Sequence, residues 1–202
     1  MDCYTRQQIK DTVIAKGYKW FENGNYNLNI VGVRNSATEG KVTNKFDDCL
    51  TLSFNVDGEE KFYCFAATTD PGSHWEKNLL NKDGVAILVP NQYRGSHEIR
   101  KHQGKYEALC QKKPLKVYRD KNMDGKYDML EENIKEGIFG INIHKAGSRV
   151  EGSTQIDKWS AGCQVFSKES DFNILMEAAY KAKAIYGNSF TYTLIESKDI
   201  VA

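Results

Sequence analysis

Two runs of strand-forming residues, Cys49-Leu-Thr-Leu-Ser-Phe-Asn-Val56 and Lys61-Phe-Tyr-Cys-Phe-Ala66, flank a short segment that begins Asp57-Gly58. Asp-Gly accepts the positive φ of a tight turn at little steric cost, so this stretch predicts an antiparallel hairpin. Further strand patterns fall at 26–33, 84–89, 106–111, 115–118, 138–143 and 190–195. Helical spacing is confined to the two ends. Residues 5–16 place Ile9 and Val13 on one face, with Thr5 as cap and Gly17 as stop, and 169–186 repeat Phe172, Leu175, Ala179, Ala182 and Ile185. No linker, repeat or low-complexity stretch interrupts the 202 residues. The expectation is a single domain over 1–202, α+β and mostly β, with helices flanking the sheet.

Composition narrows the function classes. A net charge of +1 without a Lys/Arg block argues against a nucleic-acid surface. The longest apolar run, 84–90, has the length of a buried strand and falls far short of a membrane span. Met1-Asp-Cys-Tyr-Thr-Arg6 lacks the basic start and apolar core of a signal peptide. Cys3, Cys49, Cys64, Cys110 and Cys163 are odd in number and scattered, without zinc spacing, which points to a reduced compartment.

One histidine and one Gly-Cys carry the chemistry. His144 ends the 138–143 pattern, and Trp159-Ser160-Ala161-Gly162-Cys163-Gln164 follows. A thiol attacks an acyl carbon as thiolate, and a neighbouring imidazole is the usual proton acceptor. The small-residue turn before Cys163 lets backbone N–H groups approach a developing oxyanion.

His144 with Ser160-Ala161-Gly162-Cys163 resembles the signature of the L,D-transpeptidase (YkuD-like) catalytic domain, in which a histidine precedes Ser/Thr-His-Gly-Cys at a similar gap. The resemblance covers about residues 137–166. It implies a β-sandwich-like core with Cys163 as nucleophile and His144 as acid/base. It also implies that the main-chain carbonyl of Lys145 orients the imidazole. In the turn that starts at Ser160, the N–H groups of Gly162 and Cys163 are the expected oxyanion donors. The sequence departs from the pattern at three positions: Ala161 stands for the second histidine, Lys145 for a glycine, and Val165 for an Arg or Asn. Those positions shape substrate binding more than the nucleophile. The resemblance therefore implies acyl transfer on peptidoglycan stem peptides and leaves hydrolysis and transpeptidation both open. A phage or prophage lysis enzyme, made in the cytoplasm and released to the wall, would reconcile that substrate with the N-terminus.

Asp120, Asn122, Asp124, Gly125, Lys126 (by its carbonyl), Asp128 and Glu131 match the twelve-residue calcium loop, with oxygens at alternate positions around a glycine turn. A structural calcium and a solvated Asp-Gly turn are both compatible with the pattern. Trp159, His102, Tyr106 and Arg34 are candidate substrate contacts, with surface, packing or ion-pair roles as their ordinary alternatives. His74 and His97 sit in polar, loop-like contexts. Two other functions stay open: a calcium-stabilised binding module that attacks nothing, and a Cys-His peptidase or amidase of unrelated fold.

Overall fold

The computed structural model describes residues 4–201, so Cys3 lies outside the described residues. Helix α1 (Arg6–Ala15) starts on a capping box. The Thr5 hydroxyl accepts the Gln8 N–H at 3.2 Å, and Gln8 accepts the Thr5 N–H at 3.0 Å. Strand β1 (Asn29–Arg34) follows, then the hairpin of β2 (Asp48–Val56) and β3 (Glu59–Thr68), closed by Asp57 and Gly58 with φ of 50° and 84°. A short helix α2 (Ser73–Lys77), with His74 in it, leads to β4 (Val85–Leu88), β5 (Asn91–His102), β6 (Tyr106–Gln111) and β7 (Leu115–Asp120). The chain ends with β8 (Ile134–Gly137), β9 (Ile143–Lys145), β10 (Gln164–Phe166), α3 (Glu169–Tyr186) and β11 (Phe190–Glu196). No helix among the described residues is long and apolar enough to cross a membrane.

The protein is α+β and mostly β, and its main sheet is a closed barrel rather than the expected sandwich. Its order is β1-β11-β5-β6-β9-β10-β3-β2. Two parallel pairings, β1 with β11 and β9 with β10, join antiparallel stretches that would otherwise end in open edges. The period of two sorts residues to both faces. Ile30, Leu50, Leu52 and Leu194 enter the large core shared with α3. Val31, Val33, Cys49 and Ile195 turn outward to Ile9 and Val13 of α1. Helix α3 buries Phe172, Leu175, Met176, Ala178, Ala179 and Ala182, whereas Ile185, expected on that face, is 54 % exposed. Strands β4, β7 and β8 form a second, three-stranded sheet.

Three local expectations change. Residues 138–142 are not a strand, because Gly140 at φ 74° breaks the extended run and only Ile143–Lys145 pair, with His144 in their middle. The longest strand, β5, was not expected at all, and His97 lies buried within it instead of in a loop. His102 ends the same strand and is buried, not a surface histidine beside a turn.

Candidate active site

The turn before Cys163 is held by its own residues. The Ser160 hydroxyl donates to the Cys163 carbonyl (2.8 Å) and accepts the Gly162 N–H (3.1 Å), while the Ser160 carbonyl accepts the Gly72 N–H (2.8 Å). Gln164, fully buried, donates to the Gly162 carbonyl at 3.2 Å and accepts the Tyr192 hydroxyl at 2.7 Å. Ser160 is thus a scaffold for the turn. The Gly162 N–H is already used, so it is not the oxyanion donor the sequence suggested. The Cys163 N–H has no acceptor among the described residues and is the donor left for that task.

Gly162 is required by geometry. Its φ is +129°, and a Cβ there would collide with the Ala86 carbonyl oxygen of β4. Gly162→Ala is expected to cost about 3–5 kcal/mol, combining left-handed backbone strain with overpacking. Urea melts measure it, with Ala161→Gly as a control that should lose about 1 kcal/mol or less. Equal losses would show that β4 does not press on the turn.

His144 lies on β9, which pairs in parallel with β10, so that His144 stands opposite Val165 and Asn142 accepts the Gln164 N–H at 2.9 Å. The His144 Nδ1 lies 2.7 Å from the Lys145 carbonyl. A carbonyl only accepts, so Nδ1 carries the proton and Nε2 is left as the base. The Tyr106 hydroxyl reaches the same carbonyl at 3.3 Å. Burial, with the Cys163 thiol close by, pushes that phenol up to about 12, so it stays a donor. The Lys145 ammonium pairs with Glu169 at the start of α3 and points over the Tyr106 ring.

The Cys163 thiol is seated on the backbone. It donates to the Gly140 carbonyl at 3.2 Å and accepts the Asn142 N–H at 3.5 Å. Burial pushes the thiol up to about 11. Burial, then the neighbouring His102, pushes the His144 imidazole down to about 3. The thiol and the imidazole are thus both neutral at rest, so an attack by this sulfur would carry its proton transfer with it instead of following it.

Residues that carried no sequence signal fix this seat. The Gln111 side-chain oxygen accepts the Phe139 and Ile141 N–H groups at 3.0 Å each, standing in for a strand partner. His97 Nε2 donates to the Ile141 carbonyl at 2.9 Å. Asn142 accepts the Gln111 N–H at 2.9 Å and therefore turns its amide nitrogen to His102 Nδ1, 3.0 Å away. His102 stacks on His144, ring centroids 4.2 Å apart and planes 21° from parallel.

A cleft of about 640 Å³ opens on this pair, lined among others by His102, Lys105, Tyr106, His144, Lys158 and Trp159. Trp159 stands at its rim, 44 % exposed. The structure thus brings His144, Lys145, Tyr106, His102 and Trp159 around one cleft, and Cys163 immediately precedes β10, the strand paired with that of His144. Arg34 is not part of that cleft. It is buried in an ion pair with Asp70 (2.8 Å) and donates to the Thr69 carbonyl at 3.3 Å, a structural tie.

The 120–131 loop is also separate. Asp120 accepts the Asn122 N–H at 3.3 Å, and the Asn122 amide bridges Asp124 (3.2 Å) and Asp128 (2.9 Å). Asp124 accepts the Lys126 N–H at 2.9 Å, and Glu131 opens an exposed 3₁₀ turn. Among the described residues, no group of three or more His, Cys, Asp or Glu side chains is arranged to hold a metal ion.

Compared with family models, with curated proteins and with solved structures, the chain matches none.

Proposed function

We propose that the protein is a cysteine-dependent acyl-transfer enzyme of the L,D-transpeptidase type, acting on peptidoglycan stem peptides through a thioester. The observation that carries this reading is the His144 imidazole, held by the Lys145 carbonyl with Nε2 free, on the strand paired with the one that follows Cys163. A main-chain orienting group is what the sequence resemblance implied, and an Asp or Asn would have favoured an unrelated peptidase. The match of fold to that family's core is part of the same proposal.

In the reaction, the Cys163 proton passes to His144 Nε2 as sulfur attacks the amide carbon. The Cys163 N–H stabilises the oxyanion; losing such a donor typically costs about 3–4 kcal/mol of barrier. The imidazolium then protonates the leaving nitrogen, the C–N bond breaks and a thioester remains. Water resolves it in a peptidase, and a second amine resolves it in a transpeptidase. A binding module that attacks nothing is the second reading, favoured by one observation: the thiol is protonated and satisfied by the Gly140 carbonyl.

Mass spectrometry of defined muropeptides incubated with the wild-type protein and with Cys163→Ala separates these readings. Release of a D-amino acid, a cut crosslink or a joined product, each absent in the variant, is the expected result. Unchanged muropeptides in every sample would overturn the enzyme reading.

A further inference from the structure

A buried amide meets the nucleophile turn from the core side. Gln164, the first residue of β10, is fully buried and reaches Tyr192 of the main core. Its side chain has one possible orientation. Carbonyl oxygens only accept, so Nε2 faces the Gly162 carbonyl at 3.2 Å and the Thr69 carbonyl at 3.4 Å. Oε1 then accepts the Tyr192 hydroxyl at 2.7 Å. These partners are fixed in turn. Burial holds the Tyr192 phenol well above its usual range, so it stays a donor, and Gly32 of β1 leaves room for its oxygen, which a Cβ would overlap. Thr69 gives its N–H and its hydroxyl to Asp48 at 2.7 and 2.9 Å, and its carbonyl also accepts Arg34 Nη2.

The Gly162 carbonyl and the Cys163 N–H belong to one planar trans peptide, so they point in opposite directions. Gln164 draws the carbonyl toward the core, which turns the N–H away from it, where no described residue accepts it. Gly162 cannot hold that plane by itself, because a residue without a Cβ leaves its backbone free to rotate. Ser160 grips the two flanking groups, the Gly162 N–H and the Cys163 carbonyl. The peptide between them is left to Gln164.

Resting on the acyl-transfer reading, we propose that Gln164 is a positioning residue that presets the oxyanion donor, holding the Gly162–Cys163 peptide with its N–H turned away from the core. Thr69, Arg34 and Tyr192 are the frame that orients it. Gln164 bonds neither the Cys163 sulfur nor His144 and acts through the peptide alone.

The chain contains one Gly-Cys pair. Protein labelled with carbon-13 at glycine carbonyls and nitrogen-15 at cysteine therefore gives one carbonyl-to-amide NMR signal, from this peptide. Gln164→Met removes the amide at similar volume, and Gln164→Met with Tyr192→Phe does so without stranding the hydroxyl. In both, the carbonyl signal is expected to move upfield or to split. Their kcat on a muropeptide that wild type turns over should fall about ten- to a hundredfold at unchanged KM, because an oxyanion donor acts in the transition state.

Gln164→Glu supplies the signature that a merely structural role lacks. The buried acid, while protonated, donates to the Gly162 carbonyl as the amide does, and its carboxylate cannot. Per folded protein, its kcat should stay near wild type at low pH and drop about tenfold as pH rises through an inflection absent from wild type. An unmoved signal in the Met variants, or a Gln164→Glu profile that follows wild type throughout, overturns the proposal. The two readings fail separately. A moved signal with no wild-type turnover would refute the acyl-transfer reading and leave Gln164 as the holder of this peptide. Turnover with an unmoved signal would leave the enzyme reading standing and refute the positioning role.

Discussion

Cys163→Ser is expected to lower turnover of a cleaved muropeptide by about four to six orders of magnitude, and His144→Gln by nearly as much. The two losses should not add, because sulfur and imidazole act on one proton. The double variant should be no slower than Cys163→Ser by more than a fewfold, as with residues that work as a unit. A second signature comes from the resting protonation states. The thiol sits up at about 11 and the imidazole down at about 3, both through burial. Neither group titrates near neutrality, so kcat/KM of the wild-type protein should be flat across about pH 6 to 8. An inflection near 6.5 would mean that His144 exchanges its proton with solvent in the free enzyme. Multiplicative losses in the double variant would sink the paired mechanism outright.

The hairpin and the last helix were legible because local chemistry and tertiary placement agree. Asp57-Gly58 demands the turn it makes, and Phe172, Leu175, Ala179 and Ala182 repeat at helical spacing because α3 buries that face. Strand β5 was not legible. Its buried positions include the polar His97 and His102, whose partners Ile141 and Asn142 are distant in sequence. The segment 138–142 misled in the opposite direction. Ile138, Phe139 and Ile141 look like a strand, yet Gly140 breaks it and a side chain, Gln111, takes the backbone bonds. The same rule divides the site. Cys163, His144 and Lys145 lie within one short stretch of sequence, which is why the sequence could nominate them as candidates. Asn142, Gln111 and the ring stack of His102 depend on which strands close the barrel, and no spacing announces that. In the 120–131 loop, the carboxylates of Asp120, Asp124 and Asp128 accept from amides of the same loop.

Acid should loosen this site through His97. Its ring is fully buried in β5, edge-on to Tyr192 at 5.9 Å, with Nε2 donating to the Ile141 carbonyl and Nδ1 accepting from Ser96. Burial lowers its pKa to about 4 in the folded state, against roughly 6.5 when unfolded. Between those values the unfolded chain holds a proton that the folded chain refuses. Stability from this group is therefore fully present above about pH 6.5 and is lost as pH falls toward 4. His144 acts in the same direction, while the raised carboxyls of Asp48 and Asp70 act against it, so the whole-protein curve alone cannot isolate one ring. The difference between wild type and His97→Gln can. The variant should be less stable at pH 7 for want of a well-fitted ring, and the gap should shrink by about 2 kcal/mol at pH 4.5, read from urea melts at both values. Ile141 sits between Gly140 and Asn142, the two residues that contact the Cys163 sulfur. On the proposed acyl-transfer reading, turnover of His97→Gln should therefore fall at pH 7 even though the ring bonds Ser96 and Ile141 and not the Cys163 sulfur. A gap that stays constant with pH would show that His97 titrates alike in both states.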